Sequence, residues 1–128
     1  MESASASVWA GRVLSGIAIA FLLFDAGGKL FRIPRVIEWT MRLGYPESTV
    51  FPIGLALLVG VVLYTIPRTS VLGAVYLAAY LGGAVATHYR LGNPFASQVL
   101  FPVYVAAFVW GGLVLRNPHI RRALLAGE

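Results

Sequence analysis

Cysteine is absent from this chain, which excludes disulfides, thiolate nucleophiles and iron–sulfur clusters. Redox chemistry would therefore belong to a bound cofactor or a partner. Potential metal ligands are equally scarce, with five acidic residues and two histidines. Zinc takes three or four close ligands, whereas Asp25 and His88 supply two and His119 falls in the tail at the opposite membrane face. No metal is expected, and a haem on His88 finds no second axial ligand on its side. Walker loops, dinucleotide fingerprints and serine nucleophile elbows are missing as well. Charge is sparse, at 12% of residues against 59% hydrophobic.

A soluble domain of 128 residues could not hide so much apolar surface. Four apolar runs hold the excess: Val13–Phe31, Val50–Ile66, Ser70–Tyr89 and Ser97–Leu115. Each approaches the roughly 20 residues that cross a bilayer. The expectation is an all-α integral membrane protein, an antiparallel four-helix bundle forming a single domain over residues 1–128. The formal charge of +5 does not indicate nucleic acid, because Lys and Arg flank the apolar runs as headgroup anchors do. Met1–Ala10 is small and polar without a basic n-region, so the first span reads as retained rather than as a cleaved signal.

Between spans one and two, Pro34–Leu43 reads as a short amphipathic helix lying in the interface. Arg35, Glu38 and Arg42 share one face, Trp39 lies at headgroup depth, and Gly44-Tyr45-Pro46 ends the helix. The Pro67-Arg68-Thr69 turn makes spans two and three antiparallel neighbours. Arg12, Arg68, Arg116, Arg121 and Arg122 collect on the face of the termini, and Lys29, Arg32, Arg35, Arg42 and Arg90 on the other. Discounting Lys29 as partly buried places both termini in the cytoplasm.

Asp25 and Lys29 mark the candidate site. A charge at a span's centre costs roughly 2.5–3.5 kcal/mol on insertion scales, so one that stays there usually faces a partner or a cavity. Topology brings the end of span one, the end of span three and the start of span four to one face. Asp25 and Lys29 therefore share a leaflet with Thr87, His88, Ser97, Gln98 and Tyr104. In span three, Tyr76, Tyr80, Ala84 and His88 recur every four residues, opposite a stripe of Ala74, Ala78, Gly82 and Ala86. The small stripe suits close helix packing, and the tyrosine stripe then points into a polar cavity. Asp25 and His88 are the candidate acid and base. Lys29, Tyr76, Tyr80, Thr87, Gln98 and Tyr104 are the candidate ligand-binding groups, with an apolar tail lying along Phe21, Leu22, Phe101 and Val105. The structural readings stand beside this one: Asp25 and Lys29 neutralise each other along one helix face, and His88 is a boundary residue.

Phe24-Asp25-Ala26-Gly27-Gly28-Lys29-Leu30, Leu43-Gly44-Tyr45-Pro46 and Ile66-Pro67-Arg68-Thr69 carry a resemblance. So do Ala79-Tyr80-Leu81-Gly82-Gly83-Ala84-Val85-Ala86-Thr87-His88-Tyr89-Arg90 and the ending from Leu113 to Pro118. In this order they resemble the DoxX-like family of small four-span bacterial membrane proteins. The resemblance implies a multi-pass protein of the bacterial plasma membrane. It also implies association with membrane redox systems, as relatives include a subunit of a thiosulfate:quinone oxidoreductase and a component of an oxidative-stress complex. Many relatives carry a small polar residue where Asp25 stands and an acidic residue near Leu57; either Asp25 takes over that carboxylate's role from another helix and the pocket is rewired, or the mechanism of those relatives is absent here.

Three functions fit these residues. The first is an accessory or binding subunit of a membrane redox system, with an intramembrane pocket for a quinone or another lipophilic molecule. The second is a membrane-embedded enzyme moving protons between Asp25, His88 and a lipophilic substrate. The third is a scaffold packed against a larger complex. The partners implied are the lipid bilayer and either a membrane redox complex or further copies of this chain.

Overall fold

The computed structural model describes residues 2–126 of the chain, and among these there are helices and turns with no strand. Four helices are long and apolar enough to span a membrane: α1 (Glu2–Leu30), α3 (Val50–Thr65), α4 (Ser70–Arg90) and α5 (Phe101–Arg116). The short α2 (Pro34–Arg42) joins the first two, and α6 (Pro118–Arg121) follows the last. The all-α membrane bundle expected from the sequence is what the chain forms.

Helix α1 starts upstream of the expected Val13 because the alternating Ser and Ala before Trp9 contain nothing that breaks a helix. The fourth span also starts differently. Phe95–Val99 makes one wide π-type turn, with Val99 N donating to Pro94 O (3.1 Å) and Leu100 N to Phe95 O (2.9 Å), before α5 becomes regular.

Helix α1 packs on α3 and α5, and α4 packs on the same two, so α1 and α4 stand on a diagonal of the bundle. Each long helix gives one buried row to the core: Ala18, Leu22 and Ala26; Leu57, Val61 and Tyr64; Ala74, Leu77 and Leu81; Val105, Val109 and Leu113. Lipid offers no hydrophobic reason for these rows to meet, so close packing must hold them. Glycine supplies it. A Cβ on Gly11 would lie 2.5 Å from the Arg116 backbone nitrogen, and one on Gly112 would lie 2.8 Å from the Ser15 nitrogen. Near its other end α1 meets α3 as closely, where a Cβ on Gly54 would lie 2.6 Å from Lys29 Cβ.

These contacts tilt α1. Where it touches the backbone of α5, the tyrosine ring of Tyr64 spaces it from α3, and Ser15 reaches that ring's hydroxyl at 2.8 Å. Before it reaches the backbone of α3, two phenylalanines space it from α5, Phe21 and Phe101, their ring centroids 5.4 Å apart and edge-on. Helix α1 therefore leans from α5 toward α3 along its length.

The stripe of small residues on α4 does not act as its spacing suggested. Ala74 is buried, but Ala78, Gly82 and Ala86 face outward, and a Cβ on Gly82 would meet nothing within 4 Å. Gly73 makes the close approach to α3 instead, against the backbone of Tyr64. The tight Pro67–Thr69 turn sets this rotation, since Ser70 Oγ donates back to Tyr64 O at 2.8 Å.

At the face away from the termini, α1, α2 and α4 end in the same way. Residues Arg32, Gly44 and Gly92 have φ of 53°, 97° and 71°. Each is followed by a backbone bond reaching back over the last turn: Ile33 N to Gly28 O (3.1 Å), Tyr45 N to Thr40 O (3.4 Å) and Asn93 N to His88 O (3.2 Å). Arg32 adopts the left-handed conformation without being glycine, at a cost of about 1 kcal/mol.

Candidate functional site

The ion pair within the spans is direct. Lys29 Nζ donates to Asp25 Oδ1 at 2.6 Å, with the lysine side chain 13% and the aspartate 37% exposed. Gly54 makes this possible: its missing side chain lets the lysine stem lie against α3. Lysine has three protons and spends one on Asp25. Diagonally across the bundle stands Tyr80, part-buried on α4, whose titratable neighbours are Asp25, Tyr45 and Tyr76. Its hydroxyl has no hydrogen-bond partner among the described residues.

The other candidates are committed elsewhere. Tyr76 donates its phenol proton to Ala56 O (2.6 Å), locking α4 to α3. Thr87 is buried and donates to Gly83 O (2.8 Å), so Tyr45 must be the donor in the 2.8 Å bond between its hydroxyl and Thr87 Oγ1. Arg90 donates to Leu43 O at 2.8 Å, and Arg32 meets Glu47 at 3.1 Å. These three contacts strap the α2–α3 connection over this end of the bundle. His88 accepts at Nδ1 from the Asn93 amide at 2.8 Å, because an amide nitrogen can only donate. No hydrogen bond joins Asp25 to His88 among the described residues. Gln98 is exposed in the wide turn before α5. Tyr104 is also exposed, and its hydroxyl turns back to Ala96 O at 2.7 Å.

The leaning of α1 opens a groove between α1 and α5. It has a volume of about 220 Å³ and is lined by Ile17, Ala18, Phe21, Phe101, Tyr104, Val105 and Phe108. No polar atom is exposed on its walls. Phe21, Phe101 and Val105, expected to flank an apolar tail, do line it, whereas Leu22 is 1% exposed and belongs to the core. One turn beyond Phe21 on the same strip of α1 stands Asp25. The arrangement therefore has an apolar slot and, at one end, a charged pair with unspent hydrogen-bonding capacity.

A second polar centre lies at the termini end. Tyr64 is fully buried and donates to Val109 O at 2.6 Å; Ser15 donates to Tyr64, and the Arg116 guanidinium lies 5.1 Å above the Tyr64 ring. Its signal was available, since residues 15, 64 and 116 fall at one depth in antiparallel spans. Among the described residues no group of three or more His, Asp or Glu side chains is placed to hold a metal ion.

No curated protein and no solved structure matches this chain. Four apolar helices of spanning length make it an integral, multi-pass membrane protein. The match of the DoxX-like family to residues 13–112 agrees with that architecture and takes in α2, α3, α4 and most of both α1 and α5, so the chain belongs to the DoxX-like family.

Proposed function

We propose that the protein is a binding component of a membrane redox system, taking a lipophilic molecule with a carbonyl-bearing head, such as a quinone. Its tail lies in the α1–α5 groove and its head meets Lys29, Asp25 and Tyr80. The observation that carries this reading is that Asp25, paired with Lys29, follows Phe21 of the all-apolar groove by one helical turn. Apolar walls with a few convergent polar groups are the usual build of a ligand site. The proton-transfer enzyme has less support, because Asp25 is paired with Lys29 and His88 with Asn93. Membership of the family supports a place in the bacterial plasma membrane. Termini in the cytoplasm are supported by Arg12, Arg68, Arg116, Arg121 and Arg122 at that face, none in a salt bridge among the described residues.

Quinone titration in detergent tests this proposal. Lys29→Met and Tyr80→Phe should each weaken binding by about 1–3 kcal/mol if each loses one buried hydrogen bond. Ile17→Trp should block the groove, and His88→Leu should leave affinity unchanged. Equal binding in all of these, or none in the unaltered protein, would reject the site and favour the scaffold.

A further inference from the structure

We propose that Arg116, with Arg12 at the same depth on α1, binds the phosphate of an anionic glycerophospholipid at the membrane face that carries the termini. The proposal is independent of the groove, which lies toward the other leaflet.

Arg116 is held as a binding arginine would be. Its Nε is buried with no hydrogen-bond partner, and its guanidinium carbon lies 5.1 Å over the Tyr64 ring. That contact holds the group over the ring, and Ser15 and Val109 O fix the ring in turn. Nη1 and Nη2 have no hydrogen-bond partner among the described residues and, unlike Nε, are not enclosed. A guanidinium anchored at its stem with both terminal nitrogens unspent matches the bidentate geometry of a phosphate.

The role expected of an arginine ending a helix has been taken by another residue. Arg121 donates to Val114 O (3.3 Å) and Leu115 O (2.8 Å), satisfying the last carbonyls of α5. Arg116 is therefore not needed as a cap. Nor is it neutralised: among the described residues Asp25, Glu38 and Glu47 pair with Lys29, Arg42 and Arg32, all at the other end of the bundle. Gly11 brings the α1 backbone against Arg116, which sets the exposed Arg12 at the same depth on the neighbouring helix. Two cations at headgroup level, one of them rigid, describe a lipid phosphate site.

Brominated lipids read this site through tryptophan fluorescence. Trp9 and Trp110 lie in this half of the bundle, and Trp39 on α2 at the other end is silenced by Trp39→Phe. Nanodiscs of phosphatidylcholine would carry equal small fractions of brominated phosphatidylglycerol or brominated phosphatidylcholine. The unaltered site should prefer phosphatidylglycerol, and Arg116→Gln should reduce the preference about fivefold. Arg116→Lys keeps the charge but loses the fork, and should reduce it too. It carries the test if Arg116→Gln does not purify as a monodisperse species. Arg68→Gln, on the same face, should leave the preference intact. Equal loss in Arg68→Gln and Arg116→Gln, or an unaffected Arg116→Lys, would reduce the effect to diffuse attraction and overturn the site. Displacement by millimolar inorganic phosphate would assign the site to a free anion instead.

Discussion

The hydroxyls of Ser15 and Tyr64 lie 2.8 Å apart in the core, and Tyr64 spends its own proton on Val109 O, so Ser15 is the donor between them. This chain of two bonds ties α1, α3 and α5 together where water cannot substitute for a lost partner. Tyr64→Phe should therefore destabilise the bundle by about 1 kcal/mol, the range of interhelical hydrogen bonds in membranes. Chemical denaturation in mixed micelles measures it. Ser15→Ala should cost less, because Tyr64 keeps its bond to Val109.

Two glycines give opposite forecasts. Gly112→Val would push a side chain into Ser15 and the Gly11 carbonyl, the latter 3.0 Å from the new Cβ. Loss of the monodisperse species is expected. Gly82→Ala meets nothing within 4 Å, and its better helix propensity should leave stability equal or raised by up to about 1 kcal/mol. Thermal unfolding compares them. A destabilised Gly82→Ala would show that this outward strip packs against another chain.

A double-mutant cycle separates structure from binding at the ion pair. Asp25→Asn leaves Lys29, 13% exposed, without its counterion, and should destabilise more than the combined Asp25→Asn, Lys29→Met. The coupling should be on the order of 1 kcal/mol. If the pair served only stability, the double variant would keep all ligand binding; the groove reading requires it to lose that binding.

The strap over this end can be released. Tyr45→Phe together with Arg90→Gln removes the bonds to Thr87 and Leu43 O. Amide exchange around residues 43–47 should quicken while the cores of α3 and α4 stay protected.

Topology is tested by labelling single cysteines from either side. Positions 7 and 124 should react from one side of the membrane and positions 48 and 93 from the other, as an even number of spans requires.

The sequence was most legible where chain chemistry acts locally. Run lengths gave the four spans, and Gly44-Tyr45-Pro46 and Pro67-Arg68-Thr69 marked where helices stop. Rotation about each axis was illegible. A lipid-facing surface is as apolar as a packed one, so nothing in hydropathy told Ala78 and Gly82, which face outward, from Gly73, which packs. The commitments of the polar groups were hidden for a similar reason. Tyr76 and Tyr80 sit one turn apart on the same stripe, yet only Tyr76 reaches a carbonyl, Ala56 O. Asp25 and His88 were brought to one leaflet by counting spans, but counting cannot show that each already has a nearer neighbour, Lys29 four and Asn93 five residues along the chain.

The tilt of α1 has a mechanical consequence. The glycine contact between Gly11 and the end of α5 is a fulcrum, and the Phe21–Phe101 edge is the moving end of the lever. A small swing of α1 about that fulcrum changes the width at the phenylalanines while leaving the Tyr64 bonds almost in place. Any force that swings α1 would therefore register most sensitively as the aperture between two aromatic rings.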